Sequence, residues 1–291
     1  MAAKAVKLNT KLLGRERKRA WEIDFLRGLC IILVVFDHAM LNFWFLMPNM
    51  ATNWNAVGNP FFEWMRDFGH LYWHHRNIRN VVRFSVVFLF LFLSGVSSSF
   101  TRSNAERVRK LAGAAALITF VTVIMEGITN AGVIITFGIL HILCLSLLIY
   151  MLAKKIFPHR NFYLFLGAAI FIGGLFIPIG GGRTMPFWEV FATQHIWQLN
   201  FSGFVSQVIG TGIYGADSYG ILPYAGFFLL GAAAGEVLYK NKRSLLPALD
   251  GRWNKAFCFV GRRAIWVYLA HQVIILAAII LGAMAVGYEF F

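Results

Sequence analysis

Seven stretches of the 291-residue chain are long and apolar enough to cross the ~30 Å hydrocarbon of a bilayer as helices. They fall at about 24–46, 81–100, 111–129, 133–153, 162–180, 220–239 and 264–286. Most connections between them are short, but 47–80 and 181–219 are longer than a turn requires. Both mix Trp, Phe, Tyr, His and Arg, the blend expected of an interfacial helix or a lid facing a ligand. Within the second, 195–213 reads as interfacial or re-entrant. As an eighth span it would carry the basic 240–263 segment across the membrane. The pattern predicts an all-α polytopic membrane bundle of about seven transmembrane helices. A basic segment, 1–20, precedes a single membrane domain, 21–291.

Composition agrees with that pattern. The chain is 58% hydrophobic and 14% charged, with 29 Phe and 9 Trp, which excludes an ordinary soluble domain. The distribution of its 27 Lys and Arg sets an orientation, because 22 of them fall in 1–20, 101–110, 154–160, 240–263 and at Arg27. Arg66, Arg76, Arg79, Arg83 and Arg183 form the minority side. By the positive-inside rule the N-terminus is cytoplasmic and the C-terminus external. The same asymmetry accounts for the net charge of +14 without nucleic acid, and a basic rim attracts anionic ligands and lipids. The first apolar stretch is too long for a signal peptide and lacks a small-residue cleavage pattern, so it is expected to be retained. Cys30, Cys144 and Cys258 are widely spaced and suggest neither a disulfide framework nor a zinc knuckle.

The polar residues inside the spans carry the chemistry. The run DFLRGLCIILVVFDHAMLNFWF holds Asp24, Arg27, Asp37, His38 and Asn42, groups that are costly in hydrocarbon and rarely sit there without a task. Arg27 and His38 are eleven residues apart, about three turns and a rise of roughly 16 Å, so they share a helix face. Asp24 and Asn42 lie within about 40° of that stripe and Asp37 roughly 80° off it. His141 and His271 occupy other spans, about 20 Å from Lys154 and about 12 Å from Arg263 along their helices, comparable depths from the basic side. Each is equally readable as a hydrogen-bonded packing residue. Histidine here suits a general base, a proton relay or a metal ligand, and no span carries a His-x3-His pair, so no metal is expected. Asp24 and Arg27 are at i, i+3 and read as an ion pair. Arg102, Arg107, Arg109, Lys110, Arg262 and Arg263 mark the basic rim, as orientation charges or as a phosphate cradle. Gly231 and Gly235, in small-xxx-small spacing, point to tight helix packing, and FLSGVSSS to a polar packing turn.

The segment EIDFLRGLCIILVVFDHA resembles the first-helix motif of transmembrane acyltransferases, including the bacterial acyltransferase-3 family. FLSGVSSSF, TFGILHILCLSLLIY, ILPYAGFFLLGAAAG and GRRAIWVYLAHQVII resemble the related heparan-α-glucosaminide N-acetyltransferase-like branch, and the five motifs occur in order over roughly residues 21–275. The resemblance implies a membrane enzyme that moves an acyl group, usually acetyl, from cytoplasmic acyl-CoA to a hydroxyl or amine of a carbohydrate or lipid-linked sugar at the outer side. It places His38 as the catalytic histidine, with His141, His271 and Asp37 as further candidates. It puts Arg27 at the donor side, where Asp24 and the rim residues Arg107, Arg109, Arg262 and Arg263 are the candidates to bind the donor with it. Related enzymes commonly have ten or more spans, so this chain is compact beside them. A bacterial plasma membrane fits the short connections, and the oligomeric state stays open. The alternative reading of the same polar residues is a small proton-coupled transporter or flippase using the histidines as a relay.

Overall fold

The computed structural model describes residues 20–129, 132–176 and 200–290. Among these the chain is helical, with two isolated bridges, Ala51 with Phe290 and Phe137 with Ser218, and no strand. The first span begins as α1 (Trp21–Leu41), passes through a π turn at Asn42–Leu46 and ends in the short helix Met47–Met50. These form one 30-residue apolar helix. Asn59 then caps α2 (Pro60–His74), accepting from the amides of Phe61 and Phe62 while Pro60 opens the first turn, where no donor is needed. Apart from the short turns Trp54–Val57 and Pro247–Leu249, the remaining elements are α3 (Arg76–Phe100), α4 (Asn104–Thr129), α5 (Ile139–Ile156), α6 (Arg160–Phe176), α7 (Phe201–Ile209), α8 (Ile221–Leu238), α9 (Lys255–Arg262) and α10 (Ala264–Met284).

Among the described residues six helices are long and apolar enough to cross a membrane: the first span, most of α3 and α4, and α5, α8 and α10. The protein is a polytopic helical bundle. The predicted span at 162–180 is represented by α6, whose 17 residues rise only about 26 Å. Its last four predicted positions lie outside the described residues. So do the basic segment up to residue 19 and the stretch 177–199 with Arg183 and Trp197. From 195–213, the described part holds α7, nine residues long and too short to cross.

The packing is that of a bundle turned toward lipid. Phe120, Phe165, Phe176, Ile274 and Leu281 are exposed, while the core gathers Ile31, Leu91, Leu140, Leu147, Tyr150, Phe227 and Leu229 from the facing sides of α1, α3, α5 and α8. In hydrocarbon the apolar effect does not bring helices together, so close contact and polar bonds must do so. Glycine makes the contact. A methyl on Gly95 would overlap the Phe228 carbonyl, and one on Gly231 the Phe92 carbonyl, so α3 and α8 touch backbone to backbone. Likewise a methyl on Gly28 would meet the Phe257 carbonyl, and one on Gly261 the Asp24 carbonyl, which seats α9 directly on α1. That second contact brings Arg262 and Arg263, at the α9–α10 junction, to the same mouth as Arg27.

A side chain placed in either contact must push two helices apart. Gly261→Val should lower stability by about 1–3 kcal/mol, the usual cost of forcing volume into a packed interface. A thermal melt of the purified protein in detergent checks this, and an unchanged midpoint would show that the α1–α9 contact does not carry stability.

Candidate active site

Two cavities lie one above the other along the bundle. At the basic end, a cavity of about 360 Å³ is lined by Asp24 and Arg27 of α1, Ser94 and Ser97 of α3, Arg107 and Lys110 of α4, and Arg262 and Arg263. Arg27 is held rather than loose. Its guanidinium donates to Ser97 Oγ at 2.9 Å and the Leu93 carbonyl at 3.3 Å, and reaches Asp24 at 3.9 Å. Arg107 donates to Ser98 Oγ at 2.7 Å. The serines of FLSGVSSSF, read from sequence as a packing turn, bond their own helix carbonyls and at the same time orient these arginines. Arg109 is exposed and does not line the cavity, whereas Lys110 does. Clustered guanidiniums and hydroxyls are the donor set that phosphate oxygens take.

The second cavity, about 90 Å³, is lined by Asp37 and His38 of α1 together with Tyr72, Arg83, Asp217, Tyr219 and Tyr268, over an apolar floor that includes Ile31, Val34, Val87 and Phe90. His38 meets His271 of α10 edge to face, with ring centroids 4.8 Å apart. The neighbouring pair on the same two helices is also bonded, Gln272 Nε2 donating to Asn42 Oδ1 at 2.8 Å. These two adjacent contacts fix α10 against the His38 face of α1.

The three intramembrane histidines differ in what their ring nitrogens have to do. His271 Nδ1 donates to the Tyr268 carbonyl at 2.5 Å, so in the neutral ring Nε2 carries no proton. That Nε2 is buried without a hydrogen-bond partner. His141 is satisfied at both nitrogens. Nδ1 accepts from the Gly138 amide at 3.2 Å, and Nε2 lies 3.2 Å from Thr119 Oγ1, whose hydroxyl donates to the Ile135 carbonyl. It caps the start of α5 and does not line the His38 cavity. The structure thus brings His38 and His271 together and sets His141 apart.

Asp37 is fully occupied. Arg79 grips both carboxylate oxygens, at 3.1 and 3.3 Å, and the Tyr72 hydroxyl donates to it at 2.9 Å. Arg79 in turn lies over the Trp73 ring at 3.3 Å. Burial, reinforced by the Asp37 carboxylate, pushes the Tyr72 hydroxyl above its ordinary range and keeps it a donor.

A second buried acid, Asp217, accepts from the Ile139 amide at 3.2 Å and the Tyr268 hydroxyl at 3.5 Å. Arg83 lies beside it and bonds the Tyr219 hydroxyl. Burial pushes the Asp217 carboxyl upward, against the pull of Arg83. Sequence reasoning missed this group, because Arg79 and Arg83 read as orientation charges of the minority side and Asp217 stands in a connection. The signal was present in α3: Arg83, Phe90, Ser94 and Ser97 recur at i, i+7, i+11 and i+14, one face like that of Arg27 and His38. Of the aromatic residues in 47–80, read as interfacial or ligand-facing, Trp54 stacks on Tyr288 in an apolar cluster, Trp64 is exposed and Tyr72 lines the cavity. Among the described residues no three His, Cys, Asp or Glu side chains are grouped as metal ligands would be.

No curated protein and no solved structure matches the chain. A family model does, over residues 19–273, which includes both cavities: heparan-alpha-glucosaminide N-acetyltransferase, catalytic. A helical membrane bundle with a histidine beneath buried polar groups and a basic mouth below it is the setting of that match, and the chain belongs to the family of membrane acetyltransferases that it describes.

Proposed function

We propose that the protein takes an acetyl group from acetyl-CoA, or a short acyl group from its acyl-CoA, and passes it to a hydroxyl or amine of a carbohydrate-type acceptor. Donor would enter at the basic end, on the cytoplasmic side by the charge distribution, and acceptor from the other. The observation that carries this reading is the stacking of an arginine-lined cavity directly below a cavity holding His38. Arg27, Arg107, Arg262 and Arg263 would hold the phosphates of CoA, with Asp24 and the serines setting the pose of Arg27. The eleven-residue rise from Arg27 to His38 suits the extended pantetheine arm. The relay alternative draws no support from the family match.

In the direct form of the reaction, the acceptor oxygen or nitrogen bonds to the thioester carbon as His38 removes its proton. The C–S bond then breaks, and the CoA thiolate takes that proton from the imidazolium. His271, with Nε2 free to accept, is placed to orient the His38 ring through whichever nitrogen of His38 bears hydrogen. Asp37 acts indirectly, since Arg79 and Tyr72 already use its oxygens. A route through an acyl-His38 intermediate uses the same residues.

His38→Ala and His38→Asn should each lower acyl transfer by about 10²–10⁴-fold, the range a lost general base costs, while leaving CoA binding intact. Release of free CoA from acetyl-CoA, with and without a panel of sugars, measures it. Turnover near the parent rate in either variant would make His38 structural.

The donor end has its own test, because charge-assisted bonds to phosphate weaken in salt. Arg27→Ala should raise the Kd for CoA by about tenfold or more, and high salt should weaken binding to the parent. Affinity indifferent to both would place the donor elsewhere.

A further inference from the structure

The order of residues around the two cavities is the same on every helix that borders both. On α1, Asp24 and Arg27 face the basic cavity and Ile31, Val34 and His38 the upper one. On α3 the sequence is Ser97 and Ser94 below, Val87 and Arg83 above. On α5 it is Leu143 below and Ile139 above, and on α10 it is Ile265 below and Tyr268 above. The cavities are therefore stacked end to end, and one residue belongs to both linings: Phe90. It stands midway on the polar face of α3, seven residues and roughly 10 Å from Arg83 on one side and from Ser97 on the other. Its ring is buried, 8% exposed, within the apolar core that also holds Ile31, Val87 and Leu143.

A carrier anchored among the arginines that delivers its thioester to His38 along this shared face passes the ring. We propose that Phe90 is the partition between donor cavity and reaction cavity, and that it determines the length of acyl chain admitted to His38. The inference rests on the acyl-transfer reading and adds a specificity residue to it. The space is consistent with that role. The upper cavity has about 90 Å³ against about 360 Å³ below, and its floor is made of branched and aromatic side chains that leave a short acyl group room and oppose a longer one. The Phe90 side chain is a hydrocarbon with no proton to give or take, so its effect is steric. An aromatic ring can swing aside about its side-chain bonds to let the narrow pantetheine arm through, at far less cost than moving a helix.

The test compares acetyl-, butyryl- and hexanoyl-CoA as donors for the parent, Phe90→Ala, Phe90→Leu and Phe90→Trp, reading CoA release and, separately, CoA binding. Apolar pockets discriminate a single methylene by about tenfold or more. Phe90→Ala should therefore raise the butyryl-to-acetyl ratio of kcat/KM by about tenfold, and Phe90→Leu should do so in the same direction by less. Phe90→Trp should depress turnover of all three donors by much more than it weakens CoA binding, because the arginines that hold the phosphates lie below the ring. An unaltered ratio in a folded Phe90→Leu, or a loss of CoA binding in Phe90→Trp matching its loss of turnover, overturns the partition and leaves acyl transfer standing. A parent that binds CoA but releases none from any donor overturns the acyl-transfer reading and the partition with it.

Discussion

A carboxylate inside a membrane helix has to be neutralised where it stands, and Asp37 is the point at which this bundle meets that demand. Its pairing with Arg79 brings the start of α3 against α1, and its bond from Tyr72 draws α2 back along the same helix. Low local polarity strengthens both interactions, and removing Asp37 would leave the buried Arg79 charge without its carboxylate. His38 is the next residue, so its backbone is held beside this ion pair while its ring is left to face His271 and the cavity. Fixed charges and a free imidazole thus occupy neighbouring positions with opposite duties.

The two ends of the site are held by different means. At the basic end, glycine contacts lock α1 to α9 and α3 to α8, so the guanidiniums project from closely opposed backbones whose separation cannot vary much. At the far end, side-chain bonds predominate: Asp217 joins the α5 amide of Ile139 to the Tyr268 hydroxyl of α10, next to Arg83 and Tyr219. Rigid backbone contact suits the recognition of a constant group, such as phosphate. A hydrogen-bonded cluster suits polar contacts that differ among acceptors.

Much of this was legible in the sequence, because hydrocarbon punishes polar residues and so makes them conspicuous. The Arg27–His38 stripe and the glycine packing of α8 follow from helical spacing alone. The part that spacing hid has clear physical causes. Arg79 and Arg83 sit at the start of a span, where positive charge is ordinarily a topological signal, and only the position of Asp37 on another helix shows that Arg79 is a buried partner. Asp217 lies in a connection with no period to read. His141 looked equivalent to His271 by depth, but the amide of Gly138, three residues before it, occupies one of its nitrogens. The seventh predicted span is a helix whose described length falls short of a crossing.

The π turn at Asn42–Leu46 inserts an extra residue into the first span, so every position beyond it is rotated by about 100° from where a continuous α-helix would put it. The polar stripe stops at Asn42, and Met47 turns instead into the apolar cluster with Trp54, Phe62, Ile279 and Tyr288. The helix that carries His38 therefore contributes little to the far rim of its cavity, which is furnished by Tyr72, Arg83, Asp217 and Tyr219 from other elements. Under the proposed acyl-transfer reading, reactivity and recognition are encoded in separable parts of the chain. Divergence in the connection around 210–220 can change what the rim accepts while the register of the imidazole, fixed one turn before the π insertion, stays as it is.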